Sequence, residues 1–195
     1  MKNKYFKNAA LLGLLTLSLA GCKKELELKP YNALTEENIF TTPERVNLAI
    51  NGVYDAAQSG FFNGAIDRGY PFGAANVQQG DARGEDVINL QAFYQITYQA
   101  TYNPTTANNV NYWASLYRLI NFANIADEGL AKAAASGVIT SAVATSAQAE
   151  MRFIRAWSHH ELVTFFARPF LDGNGDKPGV PYREDRKSTR LNSSH

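Results

Sequence analysis

Ala149-Glu150-Met151-Arg152-Phe153-Ile154-Arg155-Ala156-Trp157-Ser158-His159-His160-Glu161-Leu162-Val163-Thr164-Phe165-Phe166 is the stretch that decides the fold class. It contains no Gly or Pro, and its apolar residues spread well beyond one narrow helical stripe. This predicts a helix from Ser146 to Ala167, ended by Pro169, with neighbours on more than one side. An inner helix in a stack of helix pairs meets that condition.

Working toward the N-terminus, Ser136 to Ser146 is a small-residue linker from which the helix can start early, and Gly137 closes the element before it. That element is a second long helix, Asn111 to Ala135, with Trp113, Leu116, Tyr117, Ile120, Ala123, Asn124 and Leu130 on a broad face. Asn124 needs a hydrogen-bonding partner if that face is buried. A further helix begins at Thr41-Thr42-Pro43-Glu44, which offers a hydroxyl cap, a proline at the first helical position and an early acid. Val46, Ala49, Ile50, Val53, Tyr54 and Ala57 form its apolar face, and Ser59-Gly60 stops it.

Residues 60 to 109 show no sustained helical period. Glycines punctuate the region and aromatic residues are spread through it, which predicts a long loop with a short strand from Tyr94 to Tyr102. A loop of that length in a compact domain is usually functional or conceals elements of its own.

The N-terminus has a different character. Lys2, Lys4 and Lys7 precede about a dozen mostly apolar residues, too few for the roughly 20 that span a bilayer. A secretory signal fits better. It closes on Leu19-Ala20-Gly21-Cys22, which holds the one cysteine of the chain and resembles the lipobox of bacterial lipoproteins. The resemblance implies a signal peptide over residues 1–21, recognised at Leu19, Ala20 and Gly21, and acylation of Cys22. Several acyl chains, at about 0.8 kcal/mol per buried methylene, anchor stably where one is marginal. Residues 22–40 then form a lipidated tether and lead-in. Glu25 and Glu27 resemble the export signal that sends lipoproteins of the Bacteroidetes type to the cell surface.

Composition narrows the function classes. With 45% hydrophobic residues the body is not disordered. Removing Lys2, Lys4 and Lys7 from 19 basic residues leaves 16 against 18 acidic ones, a net charge of −2 that gives no field for nucleic acid. Once Cys22 is acylated no thiol is left for a disulfide, so stability must come from packing. At the other end, 185–195 is polar, lacks an apolar period and looks like a translated sequencing adapter or cloning scar. On that reading the chain is the truncated start of a longer protein.

Three features together resemble the SusD/RagB family of outer-membrane glycan-binding lipoproteins. They are the lipobox with its tether and the helix from Pro43 to Tyr54, the pattern Trp113-x3-Tyr117-x2-Ile120-x3-Asn124, and Ala149 to Ala156 continuing through Leu162-Val163-x-Phe165-Phe166 to Gly179-Val180-Pro181-Tyr182. Ala167, where the family often has glycine, and the long turn from Pro169 to Lys177 depart from its pattern. The resemblance implies an all-α fold of tetratricopeptide-like helix pairs with long irregular loops, of which 41–184 is the N-terminal part. It also implies capture of oligosaccharides, or in some members peptides, and their delivery without chemistry to a TonB-dependent, SusC-like transporter. No cofactor is implied. Two readings compete with it: a surface glycoside hydrolase whose catalytic part lies outside this sequence, and a structural adhesin on the same scaffold.

Motifs for other chemistry fail on inspection. His160-Glu161-x-x-Thr164 lacks the second histidine of a zinc protease, and adjacent His159 and His160 point about 100° apart on a helix. Asp172-x-Asn174-x-Asp176 has Lys177 where a calcium loop needs glycine and Arg183 in place of its last acid, so a polar turn is the better reading. Arg152 and Arg155 read as ion-pairing residues, and Trp113 and Trp157 as core. For a sugar, whose C–H faces pack on rings while its hydroxyls need polar partners, the expected contacts are Asp81, Arg83, Tyr94 and Tyr98, a charged and aromatic neighbourhood in the long loop; the competing reading is that these rings roof the helices.

Overall fold

Thr42 opens the first helix as its sequence requires. In a computed structural model of the protein, which describes residues 35, 38–62, 65–66 and 69–186, the Thr42 hydroxyl accepts from Arg45 N–H at 3.3 Å and Pro43 occupies the first turn of α1, Pro43–Gln58. The signal peptide, the Leu19-Ala20-Gly21-Cys22 motif, the tether with Glu25 and Glu27, and residues 187–195 lie outside the described residues. Thr35 closes a first unit, and the helices belong to a second, Glu36–His195. After α1 come a small antiparallel hairpin, β1 (Phe61–Phe62) and β2 (Ala65–Ile66), then α2 (Ala74–Asp81), α3 (Gln95–Tyr98), α4 (Ala107–Ala135) and α5 (Ser141–Phe166). The body is helical, as the long Gly- and Pro-free stretch with its broad apolar surface in α5 predicts.

The core is a helical hairpin of α4 and α5 with α1 laid against α4. Tyr112, Leu116, Leu119, Ala123, Ala126, Leu130 and Ala133 are all buried and advance along α4 in alternating steps of four and three, the spacing of a coiled-coil seam. Ala144, Ala147, Met151, Ile154, Ser158 and Leu162 answer from α5. The alanines keep the helices close, while Leu116, Leu119, Leu130 and Leu162 supply area, each worth roughly 1.5–3 kcal/mol when fully buried. Val46 and Val53 of α1 complete this cluster with Phe40, whose ring lies where a Cβ on Gly129 would sit. Gly60 ends the α1 corner at φ +59°, and a side chain there would collide with the Tyr70 carbonyl.

Polar residues set the register of the hairpin. Gln148, Arg152 and Arg155 lie along one side of α5 and converge on Asp127 of α4, with Gln148 Nε2 at 2.7 Å from Asp127 Oδ1 and Arg152 Nε at 3.1 Å from Oδ2. Asn124, only 2% exposed, accepts from Arg155 Nη1 at 2.9 Å, the partner its burial demands.

Several expectations are corrected. The stretch Tyr94 to Tyr102 is not a strand: Gln95–Tyr98 is a helical turn, and the buried residues Tyr94 and Thr97 stand three apart, a helical step that the spread of aromatics disguises. The long loop also contains α2, whose glycines at 73 and 80 and few apolar residues hide it from periodicity. Helix α4 starts one turn earlier than Asn111, and α5 starts at Ser141. Trp157 is not core. It is 46% exposed and Phe153 is 62% exposed, because the seam uses the opposite side of α5. Trp157 instead rests on Phe72 and Phe153, and its indole N–H donates to Glu161 at 3.3 Å. Tyr54 likewise points outward and donates to Glu150 at 2.8 Å.

The closing segment, 180–186, is tied across the hairpin by side chains. Tyr117 Oη donates to the Pro181 carbonyl at 2.7 Å, and Arg155 Nη1 donates to the Glu184 carbonyl at 2.8 Å. Burial pushes the Tyr117 hydroxyl up to about 12 despite the pull of Arg183, so it stays a donor. His159 sits between: its Nδ1 lies 2.9 Å from the Arg155 carbonyl, and its Nε2 accepts the Arg183 backbone N–H at 3.0 Å. This pairing fixes the neutral tautomer with the proton on Nδ1. Protonation would put a hydrogen on Nε2, where an N–H already points. Burial, reinforced by the Arg155 charge and only partly offset by the Arg155 carbonyl, holds the His159 pKa below its ordinary 6.5.

A group shifted in that direction binds fewer protons folded than unfolded, so its contribution to stability is intact above about pH 6.5 and declines as pH falls from there toward the folded value. Arg155, Arg183, Tyr117 and Tyr182 face the ring, and none is an acid that would reverse the sign. Denaturant unfolding of the chain at pH 7.5 and 5.5 is expected to show a loss of stability on acidification that His159→Gln reduces.

Candidate functional site

Asn103 begins the site by building the turn before α4. Its Oδ1 accepts from the Thr105 N–H at 2.9 Å and the Thr105 hydroxyl at 2.7 Å, while its own N–H donates to Thr106 Oγ1 at 2.9 Å. An Asx-type turn of this kind fixes the approach of the chain to the helix. It holds Tyr102 and Pro104 beside the first turns of α4, where Asn109, Val110 and Trp113 share one face. The end of α5 brings Phe165 and Phe166 opposite. Together these eight residues wall an open cleft of about 580 Å³.

Four of the walls are aromatic, and three of them, Trp113, Phe165 and Phe166, rest against other rings. Trp113 meets Phe166 edge to face with centroids 5.1 Å apart and lies 4.9 Å from Tyr117. Phe165 meets Tyr112 at 5.3 Å, also edge to face. Burial and the neighbouring Glu161 carboxylate push the Tyr112 hydroxyl well above the usual phenol range, and it donates to Glu161 at 2.7 Å.

The polar walls are held as firmly. Tyr70 Oη donates to Gln79 Oε1 at 2.6 Å, Gln79 Nε2 donates to Asn109 Oδ1 at 3.4 Å, and Asn109 Nδ2 donates to the Asn103 carbonyl at 3.3 Å. This relay runs from the buried interior to the rim and orients the Asn109 amide through bonded partners. None of the eight walls carries a charge.

The residues expected from the sequence to face a sugar divide. Arg83 is exposed, with its guanidinium carbon 4.7 Å from the centroid of the Phe165 ring, one of the cleft walls. Asp81, the last residue of α2, and Tyr98, the last of α3, are exposed but do not line the cleft. Tyr94 is corrected: it is 8% exposed and its hydroxyl donates to the Ala75 carbonyl at 3.2 Å, so its ring serves the interior. The sequence reading missed Asn103, Asn109, Phe165 and Phe166 as site residues and assigned Trp113 to the core. The signal available was the spacing of Asn109 and Trp113 on one helix face directly after an Asn-Pro-Thr-Thr turn.

Among the described residues no three of His, Cys, Asp and Glu gather as a metal site. Asp172 of the turn read against calcium is paired with Arg168. No helix among the described residues is long and apolar enough to cross a membrane. A family model described as SusD-like_3, starch-binding associating with outer membrane, matches residues 25–194, and the chain belongs to that family. No curated protein and no solved structure matches the chain.

Replacing Gln79 by Leu removes the middle of the relay, taking the 2.6 Å acceptor from the Tyr70 hydroxyl and the 3.4 Å donor from Asn109 Oδ1. Removing one partner of a buried hydrogen bond costs about 1–3 kcal/mol. Denaturant unfolding of Gln79→Leu is expected to show a loss in that range, with a parallel loss of any ligand affinity at the cleft.

Proposed function

We propose that this SusD-like protein is a cell-surface nutrient-binding lipoprotein, anchored in the outer membrane through acylated Cys22, which captures oligosaccharides and delivers them to a TonB-dependent, SusC-like transporter. Leu19, Ala20 and Gly21 act as the recognition residues for the processing peptidase. Capture is by binding, without chemistry on the sugar.

The observation that carries this reading is the make-up of the cleft: Tyr102, Trp113, Phe165 and Phe166 as ring surfaces, with the Asn103 and Asn109 amides among them. A pyranose has flat C–H faces and a hydroxyl rim. The rings accept the faces and the amides answer the hydroxyls, so affinity and orientation arise from one concave surface. A rigid, pre-braced surface also loses little side-chain freedom on binding, which suits a receptor that must bind and release.

Isothermal titration of the chain with maltoheptaose tests this. The chain is expected to bind, and Trp113→Ala to weaken binding by on the order of tenfold, about 1.4 kcal/mol. The absence of binding to maltoheptaose and to a panel of other neutral and acidic oligosaccharides would overturn the reading. For the anchor, Cys22→Ser is expected to move the protein from the membrane fraction to the soluble fraction, and retention of the variant in membranes would remove the lipid anchor from the proposal.

A further inference from the structure

We infer that the glycan taken by this cleft is acidic, and that Arg83 receives a sugar carboxylate at the rim while the aromatic walls hold the ring that bears it. The inference rests on the reading of the cleft as a sugar site and names its ligand class as uronate-bearing oligosaccharide.

Three observations lead there. Arg83 stands over Phe165, a wall of the cleft, at 4.7 Å from guanidinium carbon to ring centroid. Stacking occupies the face of a guanidinium and leaves its N–H donors pointing outward in the plane, where a carboxylate binds with two parallel hydrogen bonds. Phe165 is itself fixed edge to face by Tyr112, so the cation has a settled platform.

Second, Arg83 has no acid of its own among the described residues. Arg152 and Arg155 share Asp127, Arg168 takes Asp172 and Arg186 lies 3.8 Å from Glu128, whereas Arg83 pairs with none of its sequence neighbours Asp81, Glu85 and Asp86. Glu161, the carboxylate bonded to this aromatic group, is engaged by the Tyr112 hydroxyl at 2.7 Å and the Trp157 indole at 3.3 Å. Third, the eight cleft walls are uncharged, so an anionic sugar meets no opposing group among them, and the cation beside Phe165 is Arg83. A neutral sugar would use the same rings and amides but would leave Arg83 idle.

The test is titration calorimetry of the full chain with a galacturonic acid heptamer and with maltoheptaose, in low salt and in 1 M salt, where the screening length is about 3 Å. The wild-type chain is expected to favour the acidic heptamer by about tenfold or more in low salt, the scale of one charge-assisted bidentate contact, and to lose most of that preference in 1 M salt. Arg83→Gln should collapse the ratio of the two affinities toward one, and Arg83→Lys should restore it only in part, since an ammonium keeps the charge without the paired geometry. Trp113→Ala should weaken both sugars and leave their ratio. Thermal unfolding of each variant separates loss of fold from loss of preference. Equal affinity of the wild-type chain for the two heptamers, or a preference that survives Arg83→Gln, overturns the inference while the binding function stands. Binding of neither heptamer nor any other glycan would remove both.

Discussion

Arg155 is the point through which the body is tied together. One nitrogen of its guanidinium donates both to Asn124, a nearly inaccessible amide in the middle of α4, and to the Glu184 carbonyl of the closing segment. A mostly buried cation is costly unless its donors are used and a counter-charge is near, and here Asp127 lies 3.9 Å away. The geometry is satisfied in only one register of α4 against α5. A seam of small and branched apolar residues can slide by a heptad at modest cost, but Asn124 and Asp127 cannot meet Arg155 and Gln148 in any other alignment. Apolar burial makes the hairpin stable, and this polar set makes it unique.

The same register places the cleft. Tyr112 and Trp113 lie about three turns toward the N-terminus of α4 from Asn124, and Phe165 and Phe166 lie a similar stretch toward the C-terminus of α5 from Arg155, with Glu161 on the way. The contacts of Tyr112 with Glu161 and of Trp113 with Phe166 are therefore the continuation of the Asn124–Arg155 pairing. Exposed surface pairs such as Arg152 with Asp127 add little by themselves. What fixes the rings is that they terminate a hairpin already locked at its centre.

The helices were legible wherever apolar periodicity ran for several turns. The caps at Thr42, the stop at Gly60, the need of Asn124 for a partner and the ion-pairing of Arg152 and Arg155 all follow from local rules that the tertiary structure leaves intact. What escaped was set by contacts between segments far apart in sequence. Tyr94 and Tyr98 look equivalent in the chain, yet one is bonded to Ala75 and the other is exposed, because only their rotation about a short helical turn distinguishes them. Trp113 and Trp157 both sit in apolar periods, yet Trp113 is only partly buried against the core and Trp157 is 46% exposed, because α5 has more apolar residues than its seam has positions and Trp157 falls outside it. The cleft needed Asn103, Asn109 and Phe165 to be brought together from two helix ends and a turn, which no window of sequence contains.

Rigidity and exposure are combined in this cleft in a way that bears on specificity. An aromatic surface alone discriminates poorly, since many sugars present a C–H face of similar shape, and amides alone read hydroxyls that most hexoses share. The Tyr70–Gln79–Asn109–Asn103 relay removes the freedom of the amide to turn over and meet a different pattern. Arg83 adds a charge that the walls lack, its guanidinium carbon 4.7 Å from the Phe165 ring centroid. On the proposed reading, selectivity arises from the fixed spacing between a ring that accepts one sugar face, an amide whose orientation is set from the interior, and a cation beside Phe165. Each of the three is positioned by a different element, α4, α2 through Gln79, and the segment after α2, so that spacing is a property of the assembled fold.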